Sequence, residues 1–243
     1  MKVFVADAVI RFSSQFFISG KDMGQIIQMF SHPVITLDDY PDSNTLADRF
    51  YNKAMGLMQE FPNAGLISDA WHSGRRAQSE DDIRRHGFTS YHSVNLAKRD
   101  DFDFINKAAL EVFAQYLRVV GKTGLGMTLD SAWSSIYGRG HYVPQHTHPL
   151  SHLSLVYYAA ATEGTGQLVF ENPARAHFQH FYPPEISWMP YRYSVQPKKG
   201  LFVVFPSYMV HNTEAHDSDE LRVIYSANLQ LAFNRLTDTD SSS

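Results

Sequence analysis

Past Gly126 the sequence breaks into short runs rich in Tyr, Val and Phe, and this pattern constrains the fold more than any other feature. The runs cover residues 132–137, 152–159, 167–170, 186–195, 201–205 and 222–233. Gly138, Gly140, Gly164, Gly166, Pro183, Pro184 and Gly200 punctuate them. Six or more short strands in about 110 residues, with turn signals between them, read as a sandwich or jelly roll rather than as βαβ units. The 17 Phe and 13 Tyr suit a β-rich core lined by rings.

Upstream the grammar is mixed and leans to helix. Residues 3–12 and 32–37 read as short strands. From Asp42-Ser43, an N-cap signal, a helical pattern runs through Leu46, Phe50, Leu57 and Phe61 until Pro62 stops it. Residues 63–100 are polar without a sustained period and are expected to form a long surface excursion. A second helix starts near Asp100-Asp101, repeats Phe102, Ile105, Ala109, Val112, Phe113 and Tyr116, and ends at Gly121. The expected organisation is therefore a helix-containing support region over 1–125, a strand-rich region over 126–236 and a disordered Asp- and Ser-rich tail over 237–243, the whole forming one compact unit.

Composition excludes several chemistries. The chain of 243 residues carries no cysteine, so disulfides, thiolate metal sites and cysteine nucleophiles are ruled out. Any metal must be held by His, Asp, Glu or other oxygen ligands, which suit iron, manganese or zinc. A net charge of −4 gives no electrostatic reason to expect nucleic acid, and the basic clusters at Arg75-Arg76 and Arg84-Arg85 are interleaved with Glu80, Asp81 and Asp82. Asp7 and Arg11 interrupt the apolar start, and no uncharged run reaches the roughly 18 residues of a membrane span. These features predict a cytoplasmic protein without membrane partners.

Histidines supply the candidate chemistry. In Gly140-His141-Tyr142-Val143-Pro144-Gln145-His146-Thr147-His148-Pro149, residues 146 and 148 would share one face of an extended segment and could converge on one ion. His211, placed after the strand 201–205 and Pro206, is the candidate third ligand. With 12 His in 243 positions, roughly 0.6 His-x-His pairs arise by chance, so the pair acquires meaning only from its setting between a Gly turn and a β run. His152 has the parity of 146 and 148 and could face the same cavity, although lining or surface is the plainer reading. His141 is expected in the turn. Arg222 opens a run in which Ile224, Ser226 and Asn228 share its face, and an arginine aimed into a barrel needs an anion to meet it.

At these residues the chain resembles the 2-oxoglutarate and Fe(II)-dependent oxygenase superfamily, most of all an uncharacterised bacterial and phage branch. The likeness rests on Trp133, Gly138 to Gly140, His146-Thr147-His148-Pro149, Tyr157-Tyr158, Gly200 with Phe205-Pro206-Ser207 before His211, and the last run from Arg222 to Asn228. It covers about residues 127–232, and no single motif carries it. The resemblance implies a mostly β fold with flanking helices, a double-stranded β-helix (jelly roll, cupin-like barrel), with Fe(II) at one open end. By it His146 and His211 would ligate the metal, Arg222 would pair with the distal carboxylate of the cosubstrate 2-oxoglutarate, and Tyr158 and Tyr137 would sit against that cosubstrate. O2 and an unidentified prime substrate would complete the reaction, hydroxylation with release of succinate and CO2.

One departure stands out. The superfamily carries Asp or Glu where this chain has His148. Imidazole there leaves the metal one charge more positive. Either His148 ligates, giving a three-histidine site, or water fills its place, or another carboxylate such as Glu171 or Glu214 substitutes; ligation by His148 is the favoured expectation. Two other readings remain. A cupin-type metal enzyme that does not use 2-oxoglutarate matches Gly140-x5-His-x-His and Gly200-x5-Pro206-x4-His211, but has no need of Arg222. A non-catalytic jelly-roll binding module would hold no stoichiometric metal.

Overall fold

Strict alternation in the last run determines which residues face the barrel interior. In the computed structural model, which describes residues 32–61, 81, 84, 87–174 and 191–233, this run is a strand spanning Arg222–Phe233. Arg222, Ile224, Ser226 and Asn228 face one side of it, whereas Val223, Tyr225, Ala227 and Leu229 join the core on the other. The strands in chain order are β1 (Ile35–Leu37), β2 (Phe88–Thr89), β3 (Leu125–Tyr137), β4 (Leu153–Ala160), β5 (Leu168–Glu171), β6 (Arg192–Val195), β7 (Phe202–Pro206), β8 (His211–Thr213) and β9 (Arg222–Phe233). The helices are α1 (Ser43–Glu60) and α2 (Asp103–Val119), with 3-10 turns at Leu96–Lys98 and Asp100–Phe102.

The strands form a double-stranded β-helix. Six of them make a sheet in the order β1-β7-β4-β9-β3-β2, and β6-β5-β8 make the facing sheet; every pairing is antiparallel. The outer face of the large sheet carries Leu155, Tyr157, Phe202, Val204, Val223 and Tyr225 against α1 and α2, whose Phe50, Leu57, Ile105, Val112 and Phe113 are fully buried. Between the sheets lie Val156, Tyr158, Leu168, Phe170, Val203, Phe205 and Ile224. Burial of this kind stabilises by about 1.5–3 kcal/mol for each large apolar side chain. Among the described residues no helix is long and apolar enough to cross a membrane.

The helix ends are set by local rules. α1 starts at Asp42, but the carboxylate makes no cap: Asp42 has φ 53°, and it is its carbonyl that accepts the N–H of Leu46 at 2.9 Å. α2 closes on Gly121 at φ 70°, with Lys122 N–H bonded to Leu117 O at 2.7 Å, a left-handed closure that glycine adopts without strain. Gly166 is required by close approach, since a Cβ there would lie 2.2 Å from the carbonyl oxygen of Glu214.

The expected strands at 132–137, 152–159, 167–170, 201–205 and 222–233 are present, the first extended back to Leu125. Of the run 186–195 only Arg192–Val195 is described. The run 3–12, the tail 237–243 and most of 63–86 and 172–190 lie outside the described residues. The surface excursion expected over 63–100 needs correction at its end. Phe88 and Leu96 are fully buried there, and β2 pairs with β3. Polarity without a period hides such anchors, because a single ring in a groove leaves no repeat.

Candidate metal centre

Two separate pieces of chain are joined at the histidines themselves. The extended segment ahead of β4 meets β8 in one antiparallel bridge, His146 N–H to His211 O at 2.9 Å and His211 N–H to His146 O at 3.0 Å. The seam continues on both sides, through Thr213 N–H to Val143 O at 3.1 Å and His148 N–H to Ser207 O at 3.0 Å. It brings the ring centroids of His146 and His211 to 4.2 Å. The i, i+2 spacing does what an extended segment dictates, and the ring of His148 joins them, with its Nε2 3.3 Å from Nε2 of His211.

One ring nitrogen from each of His146, His148 and His211 lies within 4.8 Å of the others, the one such cluster of His and carboxylate groups among the described residues. Two rings have their outer nitrogens committed: Nδ1 of His146 donates to Pro144 O at 2.8 Å and Nδ1 of His211 to Met209 O at 2.9 Å. A carbonyl only accepts, so the proton sits on Nδ1 and the Nε2 lone pair is free for an ion. Burial disfavours the imidazolium in all three, pushing His148 down to about 4 and His211 to about 3, with neighbouring imidazoles adding to the effect, and lowering His146 as well. Neutral imidazole is the ligating form. Two nitrogens each about 2.1 Å from one ion, at about 90–110° to one another, stand about 3.0–3.4 Å apart. The 3.3 Å between His148 and His211 fits. Phe205 and Phe170 pack against the His211 ring, with centroids at 4.7 and 6.0 Å, and hold it in place.

A cavity of ≈ 80 Å³ opens beside the cluster. Arg222, Tyr137, Tyr158 and Thr213 line it, together with Val143, Val156, Leu168 and Ile224. Arg222 is 1% exposed, yet its Nε and Nη1 have no hydrogen-bond partner; Nη2 reaches Thr213 Oγ1 at 3.4 Å. Its guanidinium carbon stands 4.1 Å from the centroid of the Tyr137 ring. Desolvation lowers the affinity of Arg222 for its proton and raises the phenol pKa of Tyr137 and Tyr158. A buried guanidinium with unpartnered N–H groups is costly unless an anion meets it, and a carboxylate can accept from two guanidinium N–H groups at once. The donor set thus fits both a metal and a carboxylate-bearing chelator.

The expected residues are distributed as follows. His146, His148, His211, Arg222, Tyr158 and Tyr137 all line the one cavity. His152 does not; its Nδ1 accepts the N–H of Leu231 at 3.2 Å, because the chain turns at Pro149–Leu150, where Leu150 has φ 66°, and the strand parity is lost. His141 sits in the turn, its Nδ1 accepting Gly138 N–H at 2.9 Å. Glu171 pairs with Arg192 at 2.8 Å and Glu214 accepts Gln167 N–H at 3.3 Å; neither belongs to the cluster. Sequence reasoning missed Thr213, which shares the parity of His211 and could have been found from it. It also missed His216, fully buried with Nε2 2.6 Å from Glu220 O, which no pattern in its acidic surroundings marks. Trp133 stands at the cavity edge, its ring 5.8 Å from His148 and 4.8 Å from Tyr91.

Residues 131–228 match the family described as "Putative 2OG-Fe(II) oxygenase". No curated protein matches the sequence. Among solved structures, the chain is similar to a prolyl-4-hydroxylase of Pseudomonas putida (13% identity, 82% of this chain and 93% of that one, TM-score 0.51). It is also similar to AviO1 of Streptomyces viridochromogenes Tue57 (13% identity, 81% and 88%, TM-score 0.54). A third is the epimerase SnoN in complex with Fe3+, alpha ketoglutarate and nogalamycin RO (15% identity, 86% and 87%, TM-score 0.53). At such identities the likeness speaks for the shared double-stranded β-helix.

Proposed function

We propose that the protein is a non-haem Fe(II)- and 2-oxoglutarate-dependent dioxygenase that hydroxylates a C–H bond of its substrate, with release of succinate and CO2. The observation that carries this reading is Arg222, fully buried beside three convergent imidazoles with Nε and Nη1 unpartnered. In this reading His146, His148 and His211 hold the iron, the tautomers of His146 and His211 being fixed by Pro144 O and Met209 O. Arg222 takes the distal carboxylate of 2-oxoglutarate. Tyr137 supports the guanidinium from one face, and Tyr158 walls the same end of the cavity.

The bound metal and cosubstrate supply the chemistry, oxidative decarboxylation of 2-oxoglutarate coupled to oxygen insertion. The chain's own residues orient and exclude. Val156, Leu168 and Ile224 keep water from the cavity wall, which strengthens every charge interaction within it. A cupin-type enzyme that does not use 2-oxoglutarate has no use for a buried guanidinium presented to its metal.

Succinate release with metal analysis tests the reading on wild type, Arg222→Ala and His148→Ala. Iron-dependent succinate formation is expected in wild type and lost without Arg222. Succinate formation indifferent to Arg222 overturns the assignment.

A further inference from the structure

The charges of the site do not balance. Among the described residues no carboxylate lines the cavity. Its ionisable side chains are three imidazoles, which ligate a metal in the neutral form, two phenols and the Arg222 guanidinium. A divalent metal and Arg222 bring three positive charges, and 2-oxoglutarate returns two negative ones. Where the related oxygenases place a ligating carboxylate, His148 contributes no charge. Among the described residues one positive charge therefore stays uncompensated in a largely buried site, where an unpaired charge is costly.

Glu171 and Glu214, the carboxylates expected as substitutes for His148, do not supply it. Glu171 is engaged with Arg192, and Glu214 accepts from Gln167 N–H. On the open side of His148 the walls become aromatic. Trp133, half-buried, contacts the His148 ring at 5.8 Å and passes outward to Tyr91, which is 51% exposed.

On the oxygenase reading above, we infer that the prime substrate supplies the missing charge: a carboxylate-class monoanion seated beside the metal next to His148, with its apolar body on the Trp133–Tyr91 step. His148 then acts in specificity, because its neutrality makes room for an anionic substrate that an Asp or Glu would repel.

The test uses the full chain loaded with Co(II) and 2-oxoglutarate and follows the visible bands of the metal. Hexanoate, hexanamide and chloride are titrated in separate arms, so that an organic acid is distinguished from a small free anion. Wild type is expected to bind hexanoate at least about tenfold more tightly than hexanamide, and His148→Asp, which puts the charge on the protein, to reduce that preference to about twofold or less. Equal binding of acid and amide by wild type overturns the inference without recourse to any variant. So does a preference unchanged in His148→Asp that still takes up Co(II) and 2-oxoglutarate, or a response to chloride with none to hexanoate. Failure of wild type to take up Co(II), or of 2-oxoglutarate to move its bands, removes the oxygenase reading instead, and this inference with it.

Discussion

Arg222 and Tyr137 are direct register partners across β3 and β9, and the guanidinium carbon of one stands 4.1 Å from the ring centroid of the other. Pairing across strands puts the arginine and its aromatic support on the same inner face, so the cation is presented to the cavity with no carboxylate among the described residues to neutralise it. A cation over a desolvated ring gains about 2 kcal/mol, which offsets only part of the cost of burying a charge.

Arg222→Met is therefore expected to leave the melting temperature of the metal-free protein unchanged or raised, since it removes an uncompensated buried charge. The same variant should raise the KM for 2-oxoglutarate by about 100-fold or more, because each hydrogen bond to a charged group is worth about 1.5–3 kcal/mol. Thermal melts with and without 2-oxoglutarate check both points. Wild type should gain about 2.7 kcal/mol at a ligand concentration of 100 wild-type Kd, and the variant at most about 0.4 kcal/mol. A marked fall in the stability of the metal-free variant would show Arg222 to be a structural residue.

Metal affinity should separate the imidazoles from their supports. Removing His146 or His211 as alanine is expected to weaken Co(II) binding by more than the roughly 10–100-fold typical of losing an outer hydrogen bond to a ligand. Both variants should keep the fold, since the bridge between residues 146 and 211 is made by backbone groups. Retention of stoichiometric Co(II) by either variant, measured against a competing chelator, would remove that residue from the metal centre.

Much of this centre was legible in the sequence because it follows strand parity. The shared face of Arg222, Ile224, Ser226 and Asn228, and the convergence of His146 and His148, both come from a period of two. Parity failed wherever the backbone turned. Leu150 at φ 66° removed His152 from the face its number suggested. Phe88 and Leu96 were hidden in a polar stretch because their burial is decided by what packs over them. The motif residues Ser207 and Asn228 could be matched to a family but not explained, since the explanation lies in side-chain bonds among three strands and the turn after β7.

Acid stability should reveal the node that joins the helices. Asp101 accepts from Arg99 at 2.8 and 2.9 Å and from Lys53 at 3.0 Å, and Arg99 also holds Glu60 at the end of α1. The Arg99 hydrogen bonds, with Lys53 assisting, hold the Asp101 carboxyl down from 3.8 to about 2. The native state thus favours the ionised form, and the stabilisation is complete above the unfolded value of 3.8 and is lost as the pH falls through about 2. Asp101→Asn should melt below wild type at pH 6, and the gap should close between pH 4 and pH 2. A gap independent of pH would mean that packing, and not charge, accounts for the loss.

Asn228 should matter more than its distance from the metal suggests. It lies between its two register partners, accepting from Ser154 Oγ at 2.9 Å and donating to Ser131 Oγ at 3.1 Å. Ser154 Oγ also meets Ser207 Oγ at 2.8 Å, and the Ser207 carbonyl accepts the N–H of His148. A buried polar relay thus runs from β3 through β9 and β4 to the backbone that carries His148. Asn228→Leu takes a partner from the buried Ser154 hydroxyl and from the half-buried Ser131 hydroxyl, and is expected to cost about 1–3 kcal/mol for a buried group that finds no other. Because the relay ends on His148, Co(II) affinity should fall by about 10-fold, the lower end for an outer support. Asn228→Ser, able to keep one bond, should recover part of both losses. Loss of stability with metal affinity unchanged would confine the relay to holding the sheet together.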